Sequence, residues 1–202
     1  MFEGDSVSRR ELLRAAALSA LAAGSLPLAE AQHIHQIASA ETAPDGAYRP
    51  KAFTPHEYRT LSKLADLIIP ADEVSPGAVA AGAPAWIDLL ASQNPELAGI
   101  YTGGIAWLDS EMQRRGGTDF LGAKPEDQIV ILDLIAYRKI GTGELAPGVR
   151  FFDWVRKMVV DGFYSSPLGT KDLGYMGNTA VSKFEVPQAA IDYALQRSPF
   201  AK

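Results

Sequence analysis

Prolines frame this chain. Apolar residues recur at helical spacing in segments that prolines open or close, and no stretch alternates apolar and polar residues as a half-buried strand would. Thr54-Pro55-His56-Glu57 joins a capping hydroxyl, a first-turn proline and a glutamate that completes a capping box. Tyr58, Leu61, Leu64, Ala65 and Ile68 follow on one face, and Pro70 ends the run. Pro76, Gly77, Gly82 and Pro84 punctuate a loop before a short helix around Trp86 to Ala91. Pro95 opens a longer helix with Leu97, Ile100, Tyr101, Leu108 and Met112 as its stripe, ending at Gly116-Gly117. Another begins near Pro125, with Glu126 and Asp127 in the turn where the helix dipole favours acids and Ile129, Leu132 and Ala136 on one face. Phe151, Phe152, Val155, Val159 and Phe163 mark a fifth helix, and Ala189 to Gln196 a short last one. The expectation is a mainly α protein: a small bundle of five or six helices with long Gly/Pro loops, forming a single helical domain over residues 53–202.

The N-terminus reads as an address rather than as fold. Ser8-Arg9-Arg10-Glu11-Leu12-Leu13 sets paired arginines before two leucines, and an alanine-rich apolar run follows from Ala15 to Ala29. Ala29-Glu30-Ala31 supplies a small-x-small cleavage site, so residues 1–31 are expected to be a cleavable twin-arginine signal peptide. The run is interrupted by Gly24, Ser25 and Pro27 and is short of the roughly 20 apolar residues needed to cross a hydrocarbon core. Residues 32–52, with His33, His35 and Ala43-Pro44-Asp45-Gly46, show no sustained period and read as a flexible linker. The twin-arginine translocase carries folded cargo to the periplasm, and prefolding is chiefly needed when a cofactor must be inserted first.

The body offers little to hold such a cofactor. Among 202 residues there is no cysteine, which removes disulfides, thiolate metal sites, iron–sulfur clusters and cysteine nucleophiles together. The histidines are His33, His35 and His56. His56-Glu57-Tyr58-Arg59-Thr60 starts like a zinc-binding helix, but threonine stands where the second ligand must be one turn on, so His56 reads as a solvated first-turn residue. A copper site at His33 and His35 would need histidine as the mature first residue, whereas cleavage leaves Gln32. Gly141-Thr142-Gly143-Glu144-Leu145-Ala146 matches a loose dinucleotide fingerprint, yet helical periodicity precedes it and Pro147-Gly148 interrupts after it. Acids such as Asp109 and Glu111 read as solvated charges. A net charge of −5 argues against nucleic acid as a partner. No catalytic, cofactor-binding or metal-binding residue is assigned within the chain.

An export signal for folded cargo on a body without cofactor motifs suggests that the cargo is a second chain. From Phe53 to Ala91, the run Phe-Thr-Pro-His-Glu-Tyr-Arg-Thr-Leu-Ser-Lys-Leu-Ala-Asp-Leu-Ile-Ile-Pro-Ala-Asp-Glu, with Ser75-Pro76-Gly77-Ala78, resembles the gluconate 2-dehydrogenase subunit 3 family. Phe163-Tyr164-Ser165-Ser166 and Gly174-Tyr175-Met176-Gly177-Asn178 are similar to that family's C-terminal aromatic and glycine-asparagine segment. The resemblance implies a non-catalytic small subunit that escorts and stabilises a large FAD-dependent dehydrogenase of the glucose-methanol-choline type, acting on CH–OH donors. It also implies, in many complexes, a multihaem cytochrome c, with haem c in that third subunit and membrane association through the partners.

Phe163, Tyr164, Tyr175, Met176, Gly177 and Asn178 are accordingly candidates for the partner interface, since aromatic residues and methionine are enriched at interface cores. Intramolecular packing of the same segment is the alternative. Two other classes of protein compete with the subunit reading: a free-standing periplasmic binding or structural protein, and an independent exported hydrolase, for which no histidine-centred constellation is evident. Replacing Arg9 and Arg10 with lysine should abolish export, because the pair is read as a recognition element and not as two interchangeable charges. Fractionation of periplasm and cytoplasm checks this; undiminished export of the double variant would remove the twin-arginine assignment.

Overall fold

The computed structural model describes residues 28–40, 48–137, 143–174 and 186–197. These form α1 (Leu28–Ala40), α2 (Pro55–Ile68), α3 (Gly77–Ala80), α4 (Ala83–Gln93), α5 (Pro95–Arg114), α6 (Pro125–Ile135), a 3-10 turn at Gly143–Leu145, α7 (Ala146–Tyr164), α8 (Pro167–Asp172) and α9 (Gln188–Arg197). No β-strand occurs among the described residues. The arginine pair and leucines at positions 8–13 lie outside them.

Proline occupies one of the first two positions of α2, α4, α5, α6, α7 and α8, where its missing N–H is no loss and its fixed φ already suits the helix. The capping box of α2 is complete. Glu57 N–H donates to Thr54 Oγ1 at 3.3 Å, and Thr54 N–H donates to Glu57 Oε2 at 2.7 Å. Pro84 and Pro147-Gly148, which read as loop residues in the sequence, sit instead in the first turns of α4 and α7. Proline starts helices here more often than it ends them.

The core lies where α4, α5 and α7 meet, with α2, α3 and α6 packed around them. Trp86, Tyr101, Ile105, Val155 and Phe163 are fully buried there. Two glycines let α5 and α7 approach closely. A Cβ at Gly104 would stand 2.0 Å from the Phe151 ring, and one at Gly148 would stand 2.1 Å from Trp107. Each helix thus contributes a glycine to an aromatic ring of the other, so one substituted methyl at either position forces the pair apart. At Gly77 the backbone has φ +81°, and a Cβ would come within 2.6 Å of the Ala71 nitrogen, so the chain can turn back over the end of α2 only with glycine.

One buried carboxylate fixes the approach to α2. Asp88, at the centre of α4, is fully buried and accepts hydrogen bonds from Tyr48 Oη (2.8 Å) and from the backbone N–H groups of Lys51 (2.7 Å), Ala52 (3.1 Å) and Phe53 (3.0 Å). Three successive backbone donors and a phenol replace its hydration shell, which is the condition for keeping such a group inside. The segment entering α2 has no helix or sheet to satisfy its N–H groups, and Asp88 does so.

The linker expected over residues 32–52 is corrected for its first part: α1 runs to Ala40 and packs on the body. Ala31, His35 and Ala38 are buried at one-turn spacing, with Ile34 and Ile37 half-buried beside them. Ala38 meets Ala85 and Leu89 of α4, and the His35 ring stacks on Trp86 with centroids 5.8 Å apart. The buried stripe is built from alanine and histidine, so large-residue periodicity did not reveal it. The face of α6 is also rotated from expectation. Gln128, Ile131, Leu132 and Ile135 point inward while Ile129 is half exposed. At the other end, α9 carries no buried residue.

Asp88→Asn should cost about 3 kcal/mol of stability, because an amide keeps the shape but turns an NH₂ toward buried donors. Urea unfolding followed by circular dichroism reads this as a lower midpoint at unchanged slope. An unaltered midpoint would show that the loop finds other partners.

Candidate functional site

The motif Phe163-Tyr164-Ser165-Ser166 forms the corner between α7 and α8. Ser166 Oγ donates to the Phe163 carbonyl at 2.6 Å and accepts the Gly169 N–H at 3.0 Å, capping α8. Gly169 is required at this corner because a Cβ there would lie 1.9 Å from the Phe163 oxygen. The Phe163 and Tyr164 rings meet edge to face at 4.8 Å, and both side chains are buried within the chain itself, at 0% and 3% exposure. As a surface for a second protein these two residues are therefore corrected to packing residues: the bundle already covers them. Tyr175, Met176, Gly177 and Asn178 lie outside the described residues.

The same corner holds α1. Ser165 Oγ donates to the Asp161 carbonyl at 2.6 Å, which commits its one proton. The Nε2 of His35 lies 3.2 Å from this hydroxyl. Burial pushes the His35 imidazole below its ordinary range, opposed in part by a hydrogen bond to the Gly162 backbone. Trp86 Nε1 donates to the Ala31 carbonyl at 3.3 Å.

The remaining polar groups also serve the fold. His56 is not merely solvated. Its Nε2 lies 2.7 Å from Asp109 Oδ2, while Asp109 Oδ1 accepts the Phe120 N–H at 2.9 Å. This pair ties the first turn of α2 to α5 and to the loop before α6, a contact 53 residues apart that no local pattern announces. Glu111, read as a solvated acid, is buried and held by the guanidinium groups of Arg114 and Arg115. Gln128 Nε2 donates to the Phe120 carbonyl at 2.7 Å. Tyr101 packs between Phe53, tilted against it, and Phe151, edge to face, and burial pushes its phenol upward, which unsuits it as an acid or nucleophile.

A cavity of about 450 Å³ opens between the end of α5 and the start of α6, lined by Arg115, Gly117, Thr118, Lys124 and Asp127. Both signs of charge line it and Arg115 is already engaged by Glu111. Among the described residues no three His, Asp or Glu side chains gather in a metal-ligand set, and no helix is long and apolar enough to cross a membrane. Of the dinucleotide-like segment, Gly143 to Leu145 form a 3-10 turn leading into α7, and Gly141 and Thr142 lie outside the described residues.

Exposed apolar side chains give a different candidate surface. Trp86 is buried and Trp107 packs on Gly148, but Trp154 is 45% exposed on the outer face of α7. Met158 follows it one turn on, half-buried, and Arg150 precedes it by one turn. Tryptophan, methionine and arginine are the types enriched in protein interfaces. Composition alone could not separate Trp154 from Trp86, because both lie in helices with strong apolar faces.

The family model for gluconate 2-dehydrogenase subunit 3 matches residues 55–182, more than half of the chain. The chain belongs to this family. By that name its members are subunits of a multi-subunit dehydrogenase. The match runs from the first turn of α2 through the α7–α8 corner and stops before α9, so it covers Asp88 itself, the glycine–aromatic contacts and Trp154, whereas α1 and the donors to Asp88 at Tyr48 and residues 51–53 precede it. No curated protein and no solved structure matches the chain significantly.

Phe163→Ala should destabilise the fold by about 3–5 kcal/mol as a core cavity, whereas Trp154→Ala, which removes a half-buried side chain, should cost only about 1–2 kcal/mol. Thermal or urea unfolding of the two variants checks the assignment. A large loss for Trp154→Ala would make it a packing residue.

Proposed function

We propose that this chain is a non-catalytic small subunit that escorts an exported FAD-dependent dehydrogenase of the glucose-methanol-choline type and stabilises it after export. Membership in the subunit 3 family is the observation that carries the reading. The engaged polar groups support it: Asp88 holds the loop before α2 to α4, the His56–Asp109 pair joins α2 to α5, and Glu111 is taken up by the arginines at the end of its own helix. In this reading FAD resides in the large partner subunit, which oxidises a CH–OH donor, and electrons leave through a multihaem cytochrome c carrying haem c. The escort's leader, with Arg9 and Arg10, takes the assembled pair through the twin-arginine translocase to the periplasm. Association with the membrane then comes through the partner subunits.

An escort needs a surface that recognises the folded partner, and the outer face of α7 around Trp154 is the best suited. A large aromatic side chain there is already desolvated over half its area, so its remaining surface can be buried at low conformational cost. The neighbouring Arg150 supplies a planar donor for a partner carboxylate.

Co-expression with the flavin subunit tests both parts. Without this chain, periplasmic dye-linked oxidation of a sugar or alcohol should fall to background, and with Trp154→Ala copurification should weaken by about tenfold or more while the small subunit stays folded. Equal periplasmic activity with and without the chain rejects the escort role. Full copurification of the Trp154 variant rejects only that surface.

A further inference from the structure

The helix that docks on Trp86 spans the bond at which the leader would be removed. Cleavage after Ala31 means hydrolysis of the Ala31–Gln32 amide: water adds to the Ala31 carbonyl carbon, the C–N bond breaks, and Ala31 leaves as a carboxylate and Gln32 as an amine. That carbonyl lies within α1, and its oxygen accepts the indole N–H of Trp86 at 3.3 Å. The Ala31 side chain is part of the main core cluster at 5% exposure.

A processing peptidase reads its substrate as an extended strand, with the small side chain before the scissile bond in a pocket and the scissile carbonyl turned to donors of the enzyme. None of these three conditions holds while α1 is docked. The backbone is helical, the small side chain is inside the body, and the carbonyl oxygen is engaged by the body's own indole.

We propose that folding closes the processing site: the Ala31–Gln32 bond of the folded chain is cut only from a state in which α1 has left the body. The latch has three parts along one face of α1. Ala31 sits under Trp86, His35 lies between the Trp86 ring and Ser165, and Ala38 packs against Ala85 and Leu89. Processing then reports undocking rather than mere exposure to a peptidase, and a leader for prefolded cargo stays attached as long as the body holds it. Cleavage also removes Ala31 from the core and leaves Trp86 Nε1 without this acceptor, so undocking followed by hydrolysis does not restore the original contact. The inference rests on the leader reading for its biological meaning, but its geometry concerns residues 31–38 and the body alone.

The test uses the purified full-length chain and elastase, which cuts after small residues, with hydrolysis between Ala31 and Gln32 followed by mass spectrometry. Wild-type protein should be cut at this bond at least about tenfold more slowly than a free peptide covering residues 27–37, since proteolysis of a folded site tracks the population of its open form. Ala38→Glu places a charge at the α1–α4 contact seven residues from the bond, and should restore most of the peptide rate while the melting of the body is unchanged. His35→Ala, which removes the ring stack and the bond to Ser165, gives an independent route to the same release should the first variant fold poorly. Wild-type cleavage at the peptide rate overturns the proposal, as does wild-type protection that persists in a folded Ala38→Glu or His35→Ala chain. The leader reading falls separately, through unimpaired export of the Arg9 and Arg10 double variant, and that outcome leaves the protection of this bond unchanged.

Discussion

The Asp88 carboxylate is the contact on which the arrangement of helices depends. It stands in the middle of α4, the helix that touches α1, α2, α3, α5 and α7, and it gathers the backbone of residues 51–53 at the point where the chain enters the bundle. Burying a carboxylate is expensive, and the expense is tolerable only because four donors converge on it. Those donors are in turn oriented by the carboxylate, so loop and helix define each other. The capping box of α2 begins one residue beyond the last of these donors, which places the start of that helix by the position of Asp88.

Around this anchor the packing is set by close approach more than by bulk. Gly104 receives Phe151 and Gly148 receives Trp107, so α5 and α7 share two aromatic-on-glycine contacts of opposite sense. Gly162 lets α7 lie against Trp86 and Ala83 of α4. The result is a dense helical body in which the buried carboxylates of Asp88 and Glu111 are engaged by donors of the chain. At the periphery, His56 with Asp109 ties the start of α2 to α5 and to the loop before α6, and Glu111 with its two arginines closes the last turn of α5.

A body of this kind suits a protein that acts through its surface. The aromatic corner at Phe163 and Tyr164 serves α8 and α1 from within, whereas Trp154 on the outer face of α7 is, with Tyr137 and Tyr193, among the aromatic side chains left exposed. The N-terminal helix joins the two ends of the problem. It packs residues 31–38 against Trp86 and Ser165, so the N-terminal helix is part of the folded body.

The sequence by itself determined the helical class and most helix starts. A proline in the first turn and a capping hydroxyl act over four residues, and such signals survive any tertiary arrangement; α2, α5 and α6 begin at the prolines that announce them. The family was legible too, because its motifs are local strings. Tertiary structure alone decided which acids are buried, since Asp88 and Glu111 differ from solvated carboxylates only in donors brought from far along the chain or from neighbouring turns. It also decided that α1 is part of the fold, because a stripe of alanine and histidine becomes hydrophobic only against Trp86 and Leu89. The aromatic corner and Trp154 changed places for the same reason. Residue type sets what a side chain can contribute to an interface, but whether its own chain has already covered it is a property of the packed helices.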